Sequence, residues 1–287
     1  MKSNEYSLRV HDRVLGMRFH PSRYAYLFRD YFHRESAREK PDILLDVKIG
    51  GLRTEVDVDD SLFISKVLKK KRFEMSGGLL KGRYDRDAKH GKIRVHKVLT
   101  VSPTIRVFEQ LLYQAYYSAK PAEHRDAFLI HSCGVIHGEC GYLFVGPPES
   151  GKSTIARLSL PDKVLNDEVN VVSFSGKGVE ICSTPFNGPF KEKSEGRSAL
   201  KAVLLLRQGL EHKLAKVDGA EAVKALMREI VPPIGLDEEI TPEVRADMLD
   251  MAIRLQKSIP VYRLEFQHNG GFWKLIDREI QGKRGQL

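Results

Sequence analysis

Apolar and polar positions alternate through much of the first hundred residues, the period of half-buried strands. SLRVHDRVLGMRF alternates in part, and KIRVHKVLTV does so again further on. DILLDVKI and RTEVDVD flank Gly50-Gly51, which predicts a hairpin. Lys69-Lys70-Lys71-Arg72 follows apolar Val67 and Leu68. That run reads as the polar end of a helix, where cations suit the negative end of the dipole. The period then lengthens. Ser102-Pro103 is a helix start, and Val107, Leu111, Leu112 and Ala115 fall on one face after it. Residues 118–125 are polar, contain Pro121, and read as a loop.

From Phe128 the pattern becomes that of an α/β chain. FLIHSCGVI reads as an apolar strand, HGEC as a turn, and GYLFV as the second strand of a hairpin. A short helix carrying Ile155, Ala156 and Leu158 stops at Pro161, and VLNDEVNVV reads as the next strand. Asp218 caps a helix with Ala222, Val223, Leu226 and Met227 inward, and Thr241-Pro242-Glu243 starts another through Lys257. VYRLEF is a strand and FWKLIDREI a final helix, with Phe272 and Trp273 read as core packing. The expectation is an α/β protein with a smaller strand-rich domain over 1–101 and a larger domain over 102–287.

Composition narrows this only a little. The chain has 287 residues, 41% hydrophobic and 30% charged, which suits a soluble globular protein and excludes collagen-like and wholly disordered classes. No apolar run approaches the ~18 residues of a membrane span. The N-terminal MKSNEYSLRV lacks the apolar stretch of a secretion signal, and three cysteines suit a reducing compartment, so a cytoplasmic location is expected. The formal charge of +9 suits an anionic partner, but the cations are spread along the chain and read as solvated surface. Neither a nucleic-acid nor a membrane partner is expected, and self-association is left open.

The chemistry concentrates at Gly146-Pro147-Pro148-Glu149-Ser150-Gly151-Lys152-Ser153-Thr154, which matches the phosphate-binding P-loop pattern. At ordinary residue usage this pattern should arise by chance on the order of 0.01 times in such a chain. A strand before it and a helix after it are the required context. Main-chain N–H groups of the turn would face a phosphate, and the start of the helix would add its positive end. Lys152 would reach the β- and γ-phosphate oxygens, and the Ser153 hydroxyl would ligate Mg²⁺. Asp167-Glu168 ends the apolar Val164-Leu165-Asn166, where a Mg²⁺ ligand belongs in an α/β sheet. The spacing from Lys152 is much shorter than in common P-loop ATPases and GTPases.

Two other groupings stand out. His131, Cys133, His137 and Cys140 put four zinc-type ligands within ten residues, but the spacing is not that of a zinc finger. A core strand with a buried cysteine is the preferred reading. For His131 alone, core packing and catalysis are both open on the residues themselves. PFKEKSEGRS, residues 189–198, carries Lys191, Lys193 and Arg197 and reads either as a loop closing over substrate or as a plain exposed loop.

The stretch LIHSCGVIHGECGYLFVGPPESGKSTIARL…VLNDEVNVV resembles the catalytic core of HPr kinase/phosphorylase and its relatives, which share a nucleotide-binding core with phosphoenolpyruvate carboxykinases. Ser183-Thr184-Pro185-Phe186-Asn187-Gly188 is similar to a Gly-Thr-Pro-Phe/Trp-x-Gly segment of the HPr-kinase-related subgroup, and Leu200 to Leu206 to its next core strand. The resemblance spans roughly 102–280 in element order and is sharp over 128–172 and 183–188. It implies a P-loop core of that type and an ATP-dependent kinase that passes the γ-phosphate of Mg-ATP to a hydroxyl. The loop from Gly146 to Thr154 would hold the triphosphate, with Lys152 as its cation. Ser153 and an acid of the Asp167-Glu168 pair would hold Mg²⁺. Asp167 would take the acceptor proton, with the two acids exchangeable in role. His131 would touch the transferred phosphate or orient the acids. Relatives encoded beside peptide-modifying enzymes make a seryl peptide or protein, or a small hydroxyl compound, the expected acceptor. The chain departs from true HPr kinases in Pro147-Pro148-Glu149 within the loop, Thr154 after it, and Asp-Glu in place of Asp-Asp. These departures weigh against HPr as acceptor and against phosphorolysis. The rival reading is a nucleotide-binding regulatory module without phosphotransfer.

Overall fold

Two runs that are continuous in sequence, 127–137 and 163–175, are each broken in space, and the breaks organise the larger half of the molecule. The computed structural model describes residues 4–32, 36–51, 65–69, 72–76, 80–85, 88–100, 106–118, 126–232 and 240–282. The chain is mixed α/β and divides into two compact units, one of residues 1–125 with 232–244, the other of residues 126–231 with 245–287.

In the first unit, strands β1 (Glu5–Val10) and β2 (Arg13–His20) form a hairpin, followed by helix α1 (Tyr24–Phe32). Then come β3 (Ile43–Ile49), β4 (Ser65–Lys69), β5 (Arg72–Ser76), β6 (Leu80–Asp85), β7 (His90–Val95) and helix α2 (Arg106–Ser118). Among the described residues the sheet has seven strands in the order β1-β2-β3-β7-β6-β5-β4. Alternation puts Tyr6, Met17, Phe19, Leu45 and Val47 on the buried face. Phe28 of α1 stacks on Phe19 at 4.6 Å, and Phe108 of α2 meets Phe28 edge-on at 4.6 Å. The Arg13 guanidinium lies 4.1 Å from the Tyr116 ring centre and donates to the Tyr116 carbonyl, fixing α2 to β2. These contacts group α2 with the first unit, so the division falls after Arg125 rather than near residue 102.

Two expectations in this unit are corrected. β3 is flanked by β2 and β7, parallel to both, so the partner expected across Gly50-Gly51 has no free edge beside it. RTEVDVD itself and the Ser102-Pro103 cap lie outside the described residues. Lys69 ends β4 and Arg72 opens β5, an antiparallel pair, so the basic run is no helix end. Local charge at a turn looks alike in both settings.

The second unit begins with β8 (Ala127–His131), β9 (Cys133–His137) and β10 (Cys140–Val145), then helix α3 (Lys152–Leu158). It continues through β11 (Lys163–Asn166), β12 (Val169–Ser175), β13 (Gly178–Cys182), β14 (Arg197–Gln208) and β15 (Lys213–Lys216). Helices α4 (Gly219–Glu229) and α5 (Pro242–Ser258), strand β16 (Val261–Phe266) and helix α6 (Phe272–Ile276) complete it. β12 pairs with β8 and β13, whereas β9 pairs with β10 and β11. The long β14 joins both groups, antiparallel to β13 in its first residues and parallel to β10 and β16 later. The core between sheet and helices holds Phe144, Ile155, Ala156, Leu204, Phe266, Phe272 and Trp273. Phe272 and Trp273 are packed as expected.

FLIHSCGVI is therefore β8 and β9 hinged at Ser132, and VLNDEVNVV is β11 and β12 hinged at Asp167-Glu168. Two buried asparagines hold the hinges. Asn166 accepts from the Glu168 amide at 2.8 Å and donates to Phe186 O at 2.8 Å and Thr184 Oγ1 at 3.1 Å. Asn170 donates to Ser132 O at 2.9 Å and Ser132 Oγ at 3.0 Å. Main-chain groups that leave a ladder inside a core need such partners. We expect Asn166→Ala to lower stability by about 2–3 kcal/mol, since it strands several buried groups. A urea midpoint equal to that of the parent protein would show that the hinge does not depend on Asn166.

Candidate functional site

β10 delivers the chain to Gly146, and α3 starts at Lys152. Between them the backbone turns sharply. Glu149 has φ +66° and Gly151 φ +104°. A Cβ on Gly151 would come within 2.6 Å of Phe266 Cζ, so both the conformation and the close approach demand glycine. Ser150 N donates to Pro147 O at 3.1 Å, and Ile155 N to Gly151 O at 2.8 Å, which closes the first turn of the helix. Lys152 Nζ curls back onto its own loop, donating to Gly146 O at 2.6 Å and Pro147 O at 3.1 Å.

The loop forms one wall of a cleft of about 580 Å³. Pro148, Glu149, Gly151, Lys152, Ser153 and Thr154 face it, whereas Gly146, Pro147 and Ser150 shape the turn from behind. The opposite wall is the pair of hinges. His131 at the end of β8, and Asp167 and Glu168 between β11 and β12, line the same cleft. The sequence-predicted residues of the loop and the acid pair are thus brought to one place.

The three hinge side chains differ in setting. Asp167 is 1% exposed, and its Oδ2 accepts from the Phe190 amide at 3.1 Å. Its Oδ1 has no hydrogen-bond partner among the described residues. It packs on Gly188, where a Cβ would overlap the carboxylate, which explains a glycine at the end of the Thr-Pro-Phe turn. Glu168 is half-buried, and its carbonyl accepts from Ser132 N at 3.0 Å. Burial pushes the His131 imidazole below its ordinary pKa; Glu168 opposes that shift and Lys152 adds to it. His131 therefore shares one electrostatic environment with the acid and the ammonium.

Pro189, which opens the 189–198 stretch, also lines the cleft, and three further lining residues gave no signal in the sequence: Gln208, Arg228 and Glu229. Gln208 Nε2 donates to Glu149 O at 2.7 Å and braces the loop from the end of β14. Arg228 and Glu229 close α4. Just beyond them Ile230 bridges to Ile130, and Val231 N donates to Leu129 O at 2.9 Å, clipping the helix end beside His131. Burial raises the Glu229 pKa, against the pull of Lys152 and Arg228. A charged pair at the end of an amphipathic helix looks like any solvated helix end, so only the tertiary clip reveals it.

The remaining candidates lie elsewhere. Cys133 is fully buried in the core, and burial pushes its thiol well above the ordinary range. His137 sits between Asp162, at 2.6 Å, and Asp277, at 3.1 Å, with its ring stacked 4.2 Å from Trp273. These two and the residues near them do separate structural work, and no cluster of three metal-type acidic, histidine or cysteine ligands occurs among the described residues. Lys193 donates to Phe186 O at 2.6 Å and Lys191 to Gly188 O at 3.2 Å, so both cations brace the 183–188 turn. Arg197 begins β14 opposite Cys182 and does not line the cleft. Among the described residues no helix is long and apolar enough to cross a membrane.

No curated protein matches the sequence. Among solved structures, the Hpr(Ser) kinase/phosphatase from Coxiella burnetii is similar over 54% of this chain and 95% of that chain, at 12% identity and a TM-score of 0.28. The family model described as SynChlorMet cassette protein ScmC matches residues 100–281, well over half of the chain and all of the cleft. The chain belongs to the ScmC family of SynChlorMet cassette proteins.

Proposed function

We propose that the cleft binds Mg-ATP and transfers its γ-phosphate to an acceptor hydroxyl. One observation carries the reading: a glycine-turned loop at the end of β10 faces an acid pair that a broken strand delivers to the same cleft. The sequence resemblance of 128–172 and 183–188 to HPr-kinase-related proteins supports it, and the P-loop core is part of this proposal.

The residues present fit a magnesium-bound triphosphate. Ser153, Asp167 and Glu168 offer hard oxygen donors, and Asp167 Oδ1 is a buried acceptor left unmatched. Magnesium held there would neutralise charge on the phosphate oxygens. Main-chain amides between Gly146 and Thr154 would cradle the phosphates. Lys152 would exchange its loop carbonyls for phosphate oxygens, a charge-assisted bond in place of neutral ones. Asp167 would take the proton of the acceptor hydroxyl as its oxygen attacks the γ-phosphorus. The bond from that phosphorus to the β-phosphate oxygen breaks, and ADP leaves with the electron pair. Positioning and charge compensation supply most of the acceleration. The acceptor is proposed to be a serine of a peptide or protein, or a small hydroxyl compound.

Three outcomes test this. Lys152→Ala should lower transfer at least ~10²-fold while leaving the melting temperature nearly unchanged, because the ammonium serves only loop carbonyls. Labelled ATP incubated with seryl peptides, free serine and cell extract reads the transfer; full turnover in that variant would overturn the assignment. Asp167→Asn should retain nucleotide binding but lose ~10²-fold or more in transfer. Equal transfer would remove Asp167 from the chemistry. Tight Mg-ATP binding without any labelled acceptor would instead support the regulatory-module reading.

The third concerns pH. The His131 pKa is lower folded than unfolded, so the unfolded chain takes up its proton first as pH falls. Stability from neutral His131 is complete above the unfolded value of about 6.5 and is lost as pH drops through the folded one. His131→Gln should flatten that decline in urea midpoints below about pH 6.5. Parallel curves for both proteins would show that His131 does not titrate with folding.

A further inference from the structure

The first unit's sheet buries one face under α1 and α2; on the other, Ser7, Val14 and Gly16 are covered, and the side chains from His20 across β3, β7 and β6 are exposed. On the open face, strand register aligns side chains in rows across the sheet. One row reads His20 (β2), Lys48 (β3), Arg94 (β7) and Lys81 (β6). No carboxylate stands in it. The next row places Lys92 directly opposite Arg83. The side chains of His20, Lys48, Arg94, Lys81, Lys92 and Arg83 are exposed, and Lys48, Arg94 and Lys81 have no carboxylate partner among the described residues. Acids stand in the neighbouring row instead: Asp46, opposite Lys92, binds Arg18 at 3.1 Å and His90 at 2.8 Å, and Glu74 lies opposite Arg83 in the register.

Like charges directly opposite on neighbouring strands repel, and sheets ordinarily alternate them. Here Lys48 faces Arg94, Arg94 faces Lys81, and Lys92 faces Arg83. The Lys92–Arg83 pair is flanked by Asp46 and Glu74 in its row, but Lys48, Arg94 and Lys81 stand side by side with no acid between them, which solvation alone gives no reason for. We propose that this corner of the open face is a docking surface for an acidic polypeptide segment. Strands about 4.8 Å apart space the row over roughly 14 Å, a reach of four or five extended residues. An extended chain laid across the strands can offer carboxylates at that pitch. Two other polyanions fit less well. The described aromatic residues of these strands, Tyr6, Phe19 and Tyr84, lie on the buried face, so the open face has no ring on which a nucleobase could stack. Among the described side chains none of the exposed large apolar residues, Tyr26, Leu160, Leu210 and Leu249, belongs to this sheet, which gives a bilayer no described apolar anchor there.

The test uses the full chain and a fluorescein-labelled ten-residue poly-glutamate peptide, read by anisotropy at low and moderate salt. The triple variant Lys48→Gln, Lys81→Gln, Arg94→Gln should bind the peptide about tenfold more weakly and lose most of its salt dependence. A charge-matched control, Lys163→Gln, Lys177→Gln, Lys216→Gln, removes three exposed cations of the second unit and should bind as the parent does. Removing mutual repulsion should leave the melting temperature of the sheet variant unchanged or raised. Equal weakening in both triples would reduce the effect to net charge and overturn the proposal. So would absence of peptide binding by the parent chain. Tighter binding to a single-stranded oligonucleotide or to phosphatidylserine vesicles, lost in the sheet variant, would assign the surface to that polyanion instead.

Discussion

A main chain that leaves its sheet inside a core must have its amides and carbonyls satisfied, and the second unit depends on how that demand is met. β8–β9 and β11–β12 both change partners at one level, and buried Asn166 and Asn170 supply the bonds the ladders no longer provide. A single planar amide can both donate and accept: Asn166 does both, while Asn170 donates to Ser132 and to Asn166 O. With the hinges fixed, His131, Asp167 and Glu168 stand at the ends of strands rather than within them, and their side chains reach a cleft. The same bonds tie Asn166 to Thr184 and Phe186, so the 183–188 turn is built onto the hinge, and Gly188 can lie on the Asp167 carboxylate.

The electrostatics of the cleft follow from this packing. Burial works against two ionisable groups of the cleft: it lowers the His131 pKa and raises that of Glu229. Lys152 counteracts the effect on Glu229 and adds to that on His131, so one ammonium influences both walls. In the structure that ammonium is held by two loop carbonyls, neutral acceptors that a phosphate would outcompete. On the proposed reading, the loop is thus set up to be rearranged by its ligand: of the carbonyls it releases, Pro147 O is exposed and Gly146 O part-buried.

Legibility in the sequence followed the range of the interactions. The loop, its flanking strand and α3 were readable because glycine positions, an apolar run and a helical period all act within twenty residues. The hinges were not. FLIHSCGVI and VLNDEVNVV are apolar on both sides of the break, and periodicity does not report a change of partner; the only trace was a polar Ser132, Asn166 or Asn170 within an apolar run. The hairpin expected at Gly50-Gly51 failed for a related reason: turn chemistry indicates that the chain bends but not which strands become neighbours, and β3 received β2 and β7. Arg228 and Glu229 could not be found at all, because their place depends on the bridge between Ile230 and Ile130, a hundred residues apart.

The same contrast separates the two units. The family match begins at residue 100 and covers the cleft, leaving β1 to β7 outside it. A cleft built from buried asparagines and a close glycine contact tolerates few substitutions, since each change strands a polar group or overlaps a neighbour. An exposed sheet face is under no such packing constraint, and its charges can be rearranged without disturbing the core. A row in which Lys48, Arg94 and Lys81 stand side by side on such a face therefore says more than the same cations would in a tight site. Folding does not require the arrangement and repulsion disfavours it, so its cause has to be sought in what the surface meets.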